Sequence, residues 1–233
     1  MNHPLMGYYH RVQPWSPDPS RRKLAVDPES LRRHARMIRS RGLALLTVSG
    51  AMRAAGTGAA ALSFDDGFAD NLEFGVGALA SEGGVGTVYV VVSKIGAAAG
   101  RAGGMLSLPE LRRLVAAGWE IGSHSLSHPR LPELGEAAQR EEIHGSKRRL
   151  EDLLGAAVRS FAYPYGLHDP VTVRLVEEAG YENAVTTAKR GGGESRFEVP
   201  RLSLGGYGFR ALKQGLKLRL RLLRERPPAV ARP

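Results

Sequence analysis

Ala59-Ala60-Ala61-Leu62-Ser63-Phe64, closed by Asp65-Asp66-Gly67, is the stretch that decides the fold. Six small or apolar residues bounded by a turn read as a strand buried on both faces, the kind found in parallel sheets. The run ends in two adjacent carboxylates. Adjacent residues on an extended strand point to opposite sides. At a strand end followed by glycine, both side chains can still reach one pocket by different routes.

Working outward, strand-like and helix-like segments alternate. Asp27-Pro28-Glu29 opens a helix with a cap and a first-turn proline; Leu31, Ala35 and Ile38 form its apolar stripe and Gly42 follows its end. Leu43 to Val48 reads as a strand, and a helix is expected through Leu72 to Leu79. Thr87 to Val92 is β-branched and unbroken, hence a strand. Ser107-Leu108-Pro109-Glu110 is a capping box before a helix that runs to Gly118. Trp119 to Gly122 reads as a short strand, Glu136 to Leu154 as a long helix, and Val158 to Ala162 as a strand. Asp169-Pro170 repeats the cap-plus-proline device for a helix ending at Gly180, and Asn183 to Thr187 is a further strand. The Ala- and Gly-rich stretches Ala51 to Ala61 and Ile95 to Gly104 are expected to be mobile loops. The alternation predicts an α/β chain built on a parallel sheet or barrel.

The totals bound this reading. A chain of 233 residues buries one large core. It has no cysteine, so disulfides and thiolate metal sites are excluded and any metal must use His, Asp or Glu. The start, Met1 to Tyr9, lacks a basic segment followed by an apolar stretch, and nothing in the chain reads as a membrane span. The expectation is a cytoplasmic protein, at most peripheral on the inner membrane face. Net charge is +10, concentrated at the end in Arg210, Lys213, Lys217, Arg219, Arg221, Arg224 and Arg226 against Glu225 alone. Leucines interleave with these residues. The plain reading is a terminal helix with a solvated basic face; the sharper one is association with an anionic membrane.

Three candidate clusters fall just after strands. The first is Asp65-Asp66. The second is His124-Ser125-Leu126-Ser127-His128-Pro129, whose four-residue histidine spacing suits two imidazoles on one ion if the chain turns helically between them. The third is Tyr163-Pro164-Tyr165-Gly166, a rigid rim able to aim a backbone N–H at a developing oxyanion. In a parallel barrel these loops meet at one mouth. Two histidines and one carboxylate form an open ligand set for a divalent metal, which leaves the other carboxylate free to act as a base. The residues alone leave open which aspartate does which. Taken singly, the Asp-Asp-Gly is an acidic turn and the histidines are polar loop residues.

Taken in order, Leu62 to Asn71, Glu120 to Pro129 and Phe161 to Gly166 resemble the motifs of the polysaccharide deacetylases, carbohydrate esterase family 4. The resemblance runs from about Tyr8 to Leu204. It implies a single distorted (β/α)7-type barrel over residues 1–209, with 210–233 as a basic leucine-rich helix or tail. It also implies metal-dependent removal of N-acetyl groups from an amino sugar or N-acetylglucosamine-containing glycan. By position, Asp65 resembles the catalytic base, Asp66, His124 and His128 the metal ligands, and Tyr165 the oxyanion donor through its backbone N–H.

The chain departs from the family pattern in two places. Ala162 stands where many members carry an arginine, and no histidine follows His168 to act as the late general acid. Tyr8-Tyr9-His10-Arg11-Val12 resembles the start of the poly-N-acetylglucosamine deacetylase branch, where the motifs are circularly permuted; that makes His10 the candidate acid. Tyr163, Pro164 and Arg201 are assigned to substrate binding, and Arg201 is also the candidate to replace the missing arginine. The expected cofactor is a divalent metal, Zn2+ first, with Co2+, Ni2+ or Fe2+ also fitting the ligand set. The rival readings are an inactive glycan-binding module on the same scaffold and, on charge alone, a nucleic-acid binder. The latter lacks a reader motif, so no nucleic-acid partner is expected.

Overall fold

The computed structural model describes residues 3–17, 24–97, 103–187, 195–207 and 209–222. Its strands are β1 (Leu5–Tyr9), β2 (Arg11–Val12), β3 (Ala25–Val26), β4 (Ala44–Leu46), β5 (Ala59–Phe64), β6 (Thr87–Val90), β7 (Glu120–Ser123), β8 (Ser160–Ala162), β9 (Asn183–Thr187) and β10 (Val199–Ser203). Seven of them close a parallel ring in the order β1-β10-β9-β8-β7-β6-β5 and back to β1. β1 runs along the length of β5, pairing Leu5 with Ala60 and Tyr9 with Phe64. The other edge of β5 is shared: β4 pairs with its first half and β6 with its end.

The helices are α1 (Pro28–Arg39), α2 (Val48–Arg53), α3 (Val76–Ala80), α4 (Leu108–Ala116), α5 (Glu136–Arg140), α6 (Ser146–Leu154), α7 (Pro170–Glu178) and α8 (Phe209–Leu222). A π-turn over Asn71–Gly75 leads into α3, and another over Glu141–Gly145 joins α5 to α6, so the long helix expected from Glu136 carries a local bulge. The caps read from sequence are formed. Asp27 accepts from the Ser30 N–H at 2.8 Å and Asp169 from the Thr172 N–H at 2.7 Å, and Ser107 with Glu110 makes the capping box.

All six residues of β5 are buried, as a strand covered on both faces must be. The main core joins Leu31, Ala35 and Ile38 of α1 to Leu62 and Phe64 of β5, Val88 of β6 and Trp119. Gly7 packs against two leucines at the β1 seam: a Cβ there would lie 2.5 Å from Leu204 Cδ1 and 2.8 Å from Leu62 Cδ2, so a larger residue would have to push those side chains aside.

One expectation is corrected. The stretch Ala51 to Ala61 is not a loop: its first three residues complete α2, capped by the Thr47 side chain, and its last three begin β5. Only the turn between them is irregular. Of the second expected loop, residues 98–102 lie outside the described residues; beside them, Met105 bridges to Phe68. At the C-terminal end α8 packs on α1 and buries Leu218 and Leu222 in the main core, while residues 223–233 lie outside the described residues.

Candidate active site

Asp65 and Asp66 leave the end of β5 in different directions. The Asp65 N–H donates to the Tyr9 carbonyl at 3.0 Å, which extends the β1–β5 ladder by one step. Its side chain is turned inward and is 4% exposed. There it meets the Arg201 guanidinium, whose two terminal nitrogens donate to Oδ1 and Oδ2 at 2.7 and 2.9 Å. Burial alone would raise this carboxyl, but the Arg201 charge, the His124 and His10 charges and the Arg201 hydrogen bonds outweigh it and hold it at about 2. Asp65 is therefore anionic at neutral pH. The fork takes two of the roughly four lone-pair directions of a carboxylate and leaves two for a proton or a water.

Arg201 is itself only 1% exposed. It donates to the Thr186 carbonyl at 3.3 Å and to Ser63 Oγ at 3.0 Å, and lies between the Tyr8 and Tyr89 rings. It stands under the carboxylate rather than on the mouth surface where a sugar would touch it. Its neighbours fix it there.

Asp66 has φ 73°, the left-handed region, and Gly67 follows at φ 81°. That reversal throws the Asp66 carboxylate toward the β7 loop. Its Oδ1 is 3.5 Å from His128 Nε2 and 3.9 Å from His124 Nε2. One atom from each of Asp66, His124 and His128 falls within 4.8 Å of the other two. A tetrahedral ion with ligand distances near 2.0–2.1 Å requires ligand atoms about 3.3 Å apart. The trio is therefore slightly open for such an ion and fits it with small side-chain motion.

The donor chemistry agrees. His124 Nδ1 lies 2.7 Å from the Ala162 carbonyl, a contact that needs the proton on Nδ1 and leaves the Nε2 lone pair for an ion. Burial lowers the His124 imidazole, and burial together with the His124 charge lowers His128 to about 4. Both rings are neutral near pH 7, as metal binding requires.

The histidines do not meet through a helical turn, as their spacing had implied. No helix covers residues 124–130; instead Ser125 and His128 take φ 67° and 68°. Ser125 Oγ accepts from the His128 N–H at 2.9 Å and locks the loop in that shape. The rings approach edge-to-face with centroids 4.7 Å apart.

Tyr165, on the third loop, has φ 59° and is 52% exposed. Its ring packs on His128 at 4.6 Å, with the Arg130 guanidinium 5.2 Å away on it. Asp66, Ser125, His128 and Tyr165 are all non-glycine residues of positive φ at one mouth. Such strain persists where surrounding contacts over-determine it, and it clusters at functional sites. Tyr163 is 1% exposed and donates its hydroxyl to the Phe197 carbonyl at 2.9 Å; Pro164 is buried. Both hold the loop from beneath rather than line its open side.

His10 follows β1 and so stands beside Asp65, the residue that follows the paired strand β5. Its position is set by residues that sequence reading did not single out. Asn71 Nδ2 donates to the His10 carbonyl at 3.0 Å. Asp70 accepts from Arg11 Nε at 2.8 Å and from the Val12 N–H at 3.1 Å. These contacts tie the chain after β1 to the chain after Asp65-Asp66, about sixty residues away, and only proximity in space reveals them. Beside them opens a cleft of about 370 Å³, lined in part by Arg11, Trp15, Asp70, Glu73 and Phe74.

A closed seven-stranded parallel barrel with this mouth defines a class, and comparison with known proteins supplies the family. The polysaccharide deacetylase family model matches residues 53–184, and the chain belongs to that family. A curated relative, YxkH of Bacillus subtilis (strain 168), is 26% identical over 162 residues, covering 67% of this chain and 56% of that protein. The chain thus corresponds to little more than half the length of this relative. Among solved structures, Streptococcus pyogenes deacetylase PplD in complex with acetate superposes with TM-score 0.75 at 21% identity, covering 91% of this chain and 97% of that one. IcaB from Ammonifex degensii gives TM-score 0.75 at 20% identity, covering 94% and 98%. At these identities the two structures establish the fold.

Proposed function

We propose that the chain is a metal-dependent hydrolase that removes N-acetyl groups from an amino sugar or N-acetylglucosamine-containing glycan and releases acetate. Family membership supports glycan deacetylation. The observation that carries the rest is the division of labour between neighbours: Asp65 anchored on Arg201, Asp66 turned to His124 and His128. The ligand set suits Zn2+ best, with Co2+, Ni2+ and Fe2+ as alternatives.

A divalent ion held by Asp66, His124 and His128 would supply Lewis acidity and a water of lowered pKa. Asp65, kept anionic by Arg201, takes the proton of the attacking water as the new C–O bond forms. The Tyr165 backbone N–H donates to the oxygen that gains charge. His10, across the mouth from the histidine pair, gives a proton to the departing amine as the C–N bond breaks. The water's oxygen ends in acetate, the second proton of that water passes from the new acid to the amine, and proton exchange with solvent returns Asp65 and His10 to their starting states. The cleft beside Arg11 and Trp15 gives room for further sugar rings of a chain substrate.

The test is acetate release from N-acetylglucosamine oligomers and from lipid- and nucleotide-linked amino sugars, with metal analysis of the same sample. Acetate formation that needs one of the four metals is expected. Saccharide binding without acetate release under any of them would replace the hydrolase by the glycan-binding module.

A further inference from the structure

The reaction has no use for α8, which carries a surface of its own. Phe209–Leu222 contains Arg210, Lys213, Lys217, Arg219 and Arg221 and no acidic residue. The inward face is fixed. Leu218 and Leu222 are buried in the main core, and Gly215 faces His34 of α1, whose Nε2 is 3.5 Å from where a Cβ would stand.

At 100° per residue, the direction opposite Leu218 falls midway between Leu216 and Leu220, about 20° from each. Those two leucines are 56% and 53% exposed and stand one turn apart on the same face. Exposed Lys213 and Lys217 flank them on one side and exposed Arg219 on the other. The helix therefore has two apolar stripes: one holds it to the barrel, and the other points to solvent inside a cationic frame.

We propose that this outer face docks the protein on a bilayer surface bearing anionic headgroups, with Leu216 and Leu220 entering the acyl boundary and Lys213, Lys217 and Arg219 lying among the headgroups. The charge pattern selects this occupant. A nucleic acid would be served by the basic residues with no role for the leucines between them. A second copy of the same face would set like charges against each other. The helix lies on the bilayer rather than through it: 14 residues extend about 21 Å against a hydrocarbon core of about 30 Å. Among the described residues, no helix is long and apolar enough to cross a membrane. The proposal is independent of the reaction.

The test is sedimentation of the 233-residue protein with phosphatidylcholine vesicles, with and without phosphatidylglycerol, at low and high salt. Binding to the anionic vesicles that weakens with salt is expected, with little binding to neutral ones. Because Leu216 and Leu220 are exposed, the L216S/L220S variant should melt like the parent. It should bind about tenfold more weakly with an unchanged salt slope. The K213Q/K217Q/R219Q variant should bind about 100-fold more weakly, with a flatter salt slope. Failure of the parent to bind anionic vesicles at low salt overturns the proposal. So does parent-like vesicle binding by L216S/L220S, binding to duplex DNA that exceeds vesicle binding and ignores the leucines, or a parent dimer that L216S/L220S dissolves.

Discussion

Asp65 and Asp66 share a residue type and a peptide bond, yet they stand in opposite physical situations. Asp65 continues the β1–β5 ladder, is buried, and has both oxygens engaged by a guanidinium that is itself fully enclosed. Asp66 is thrown out of the ladder by a positive φ and faces two imidazoles at 3.5 and 3.9 Å. One carboxylate is satisfied by the protein, while the other is held open. The different surroundings of the two carboxylates are thus made by the backbone turn and by Arg201, not by the side chain, and the proposed roles of base and ligand rest on that difference.

The sharpest test of that difference is a paired substitution. D65N should lower kcat by about 10²–10⁴ and leave metal content intact, because it removes the proton acceptor and no ligand. D66N should lose metal by elemental analysis and lose activity with it. If both variants behaved alike in metal content, the division of labour would be wrong. Chelation of the parent should likewise abolish acetate release and leave the far-ultraviolet circular dichroism unchanged, because the barrel closes through its own strand ladders. Activity should return on adding Zn2+.

Arg201 tests the satisfied half. R201L leaves the buried Asp65 carboxylate without its partner and should cost about 3–5 kcal/mol of stability in urea melts. R201K keeps the charge without the fork and should fall between R201L and the parent.

A site away from both halves gives a pH signature. Burial, followed by the nearby Arg33 charge, lowers His34 to about 4 from the ordinary 6.5. Its Nδ1 is 2.8 Å from the Tyr9 hydroxyl. The folded protein resists a proton that the unfolded chain accepts, so stability is full above pH 6.5 and falls as the pH drops toward about 4. About 2.5 pH units correspond to about 3 kcal/mol. The H34Q variant, compared with the parent in urea melts from pH 7.5 to 4, should lose that share of the slope.

The smallest expected effect probes the strained half. Y165G relieves a positive φ worth about 1–2 kcal/mol but gives up the packing on His128, so melting should shift by about 1 kcal/mol or less. Acetate release should survive, because only the backbone N–H of that residue is assigned to the reaction. Loss of activity with unchanged metal content would move the role to the ring.

Legibility in the sequence follows the range of the physics. β5 and β6 are read directly because burial on two faces leaves runs of apolar and β-branched residues. The caps are read because their chemistry spans three residues. β10 is hidden: Val199-Pro200-Arg201-Leu202-Ser203 holds a proline and a charged residue, which argue against a buried strand. That arginine is explained only by Asp65, 136 residues away in the chain. The left-handed turns at Asp66, Ser125, His128 and Tyr165 leave no local mark either, since none of the four is glycine. The four residues Asp65, Asp66, His124 and His128 were legible as a group, whereas the route by which the histidines approach each other was not.

The seam between β10 and β1 has a consequence for how such chains are compared. The two strands are parallel, so a chain passing from the top of one to the foot of the other must cross the barrel's height, and α8 begins six residues after β10 ends. The seam is laid out as a strand–helix–strand repeat whose last strand happens to be written first. Moving the break to another loop would change no rung of the ladder and would leave His10 facing the same mouth. The motif order of this fold is therefore a cycle, and a search that insists on a fixed starting point will misjudge members whose parts are all present.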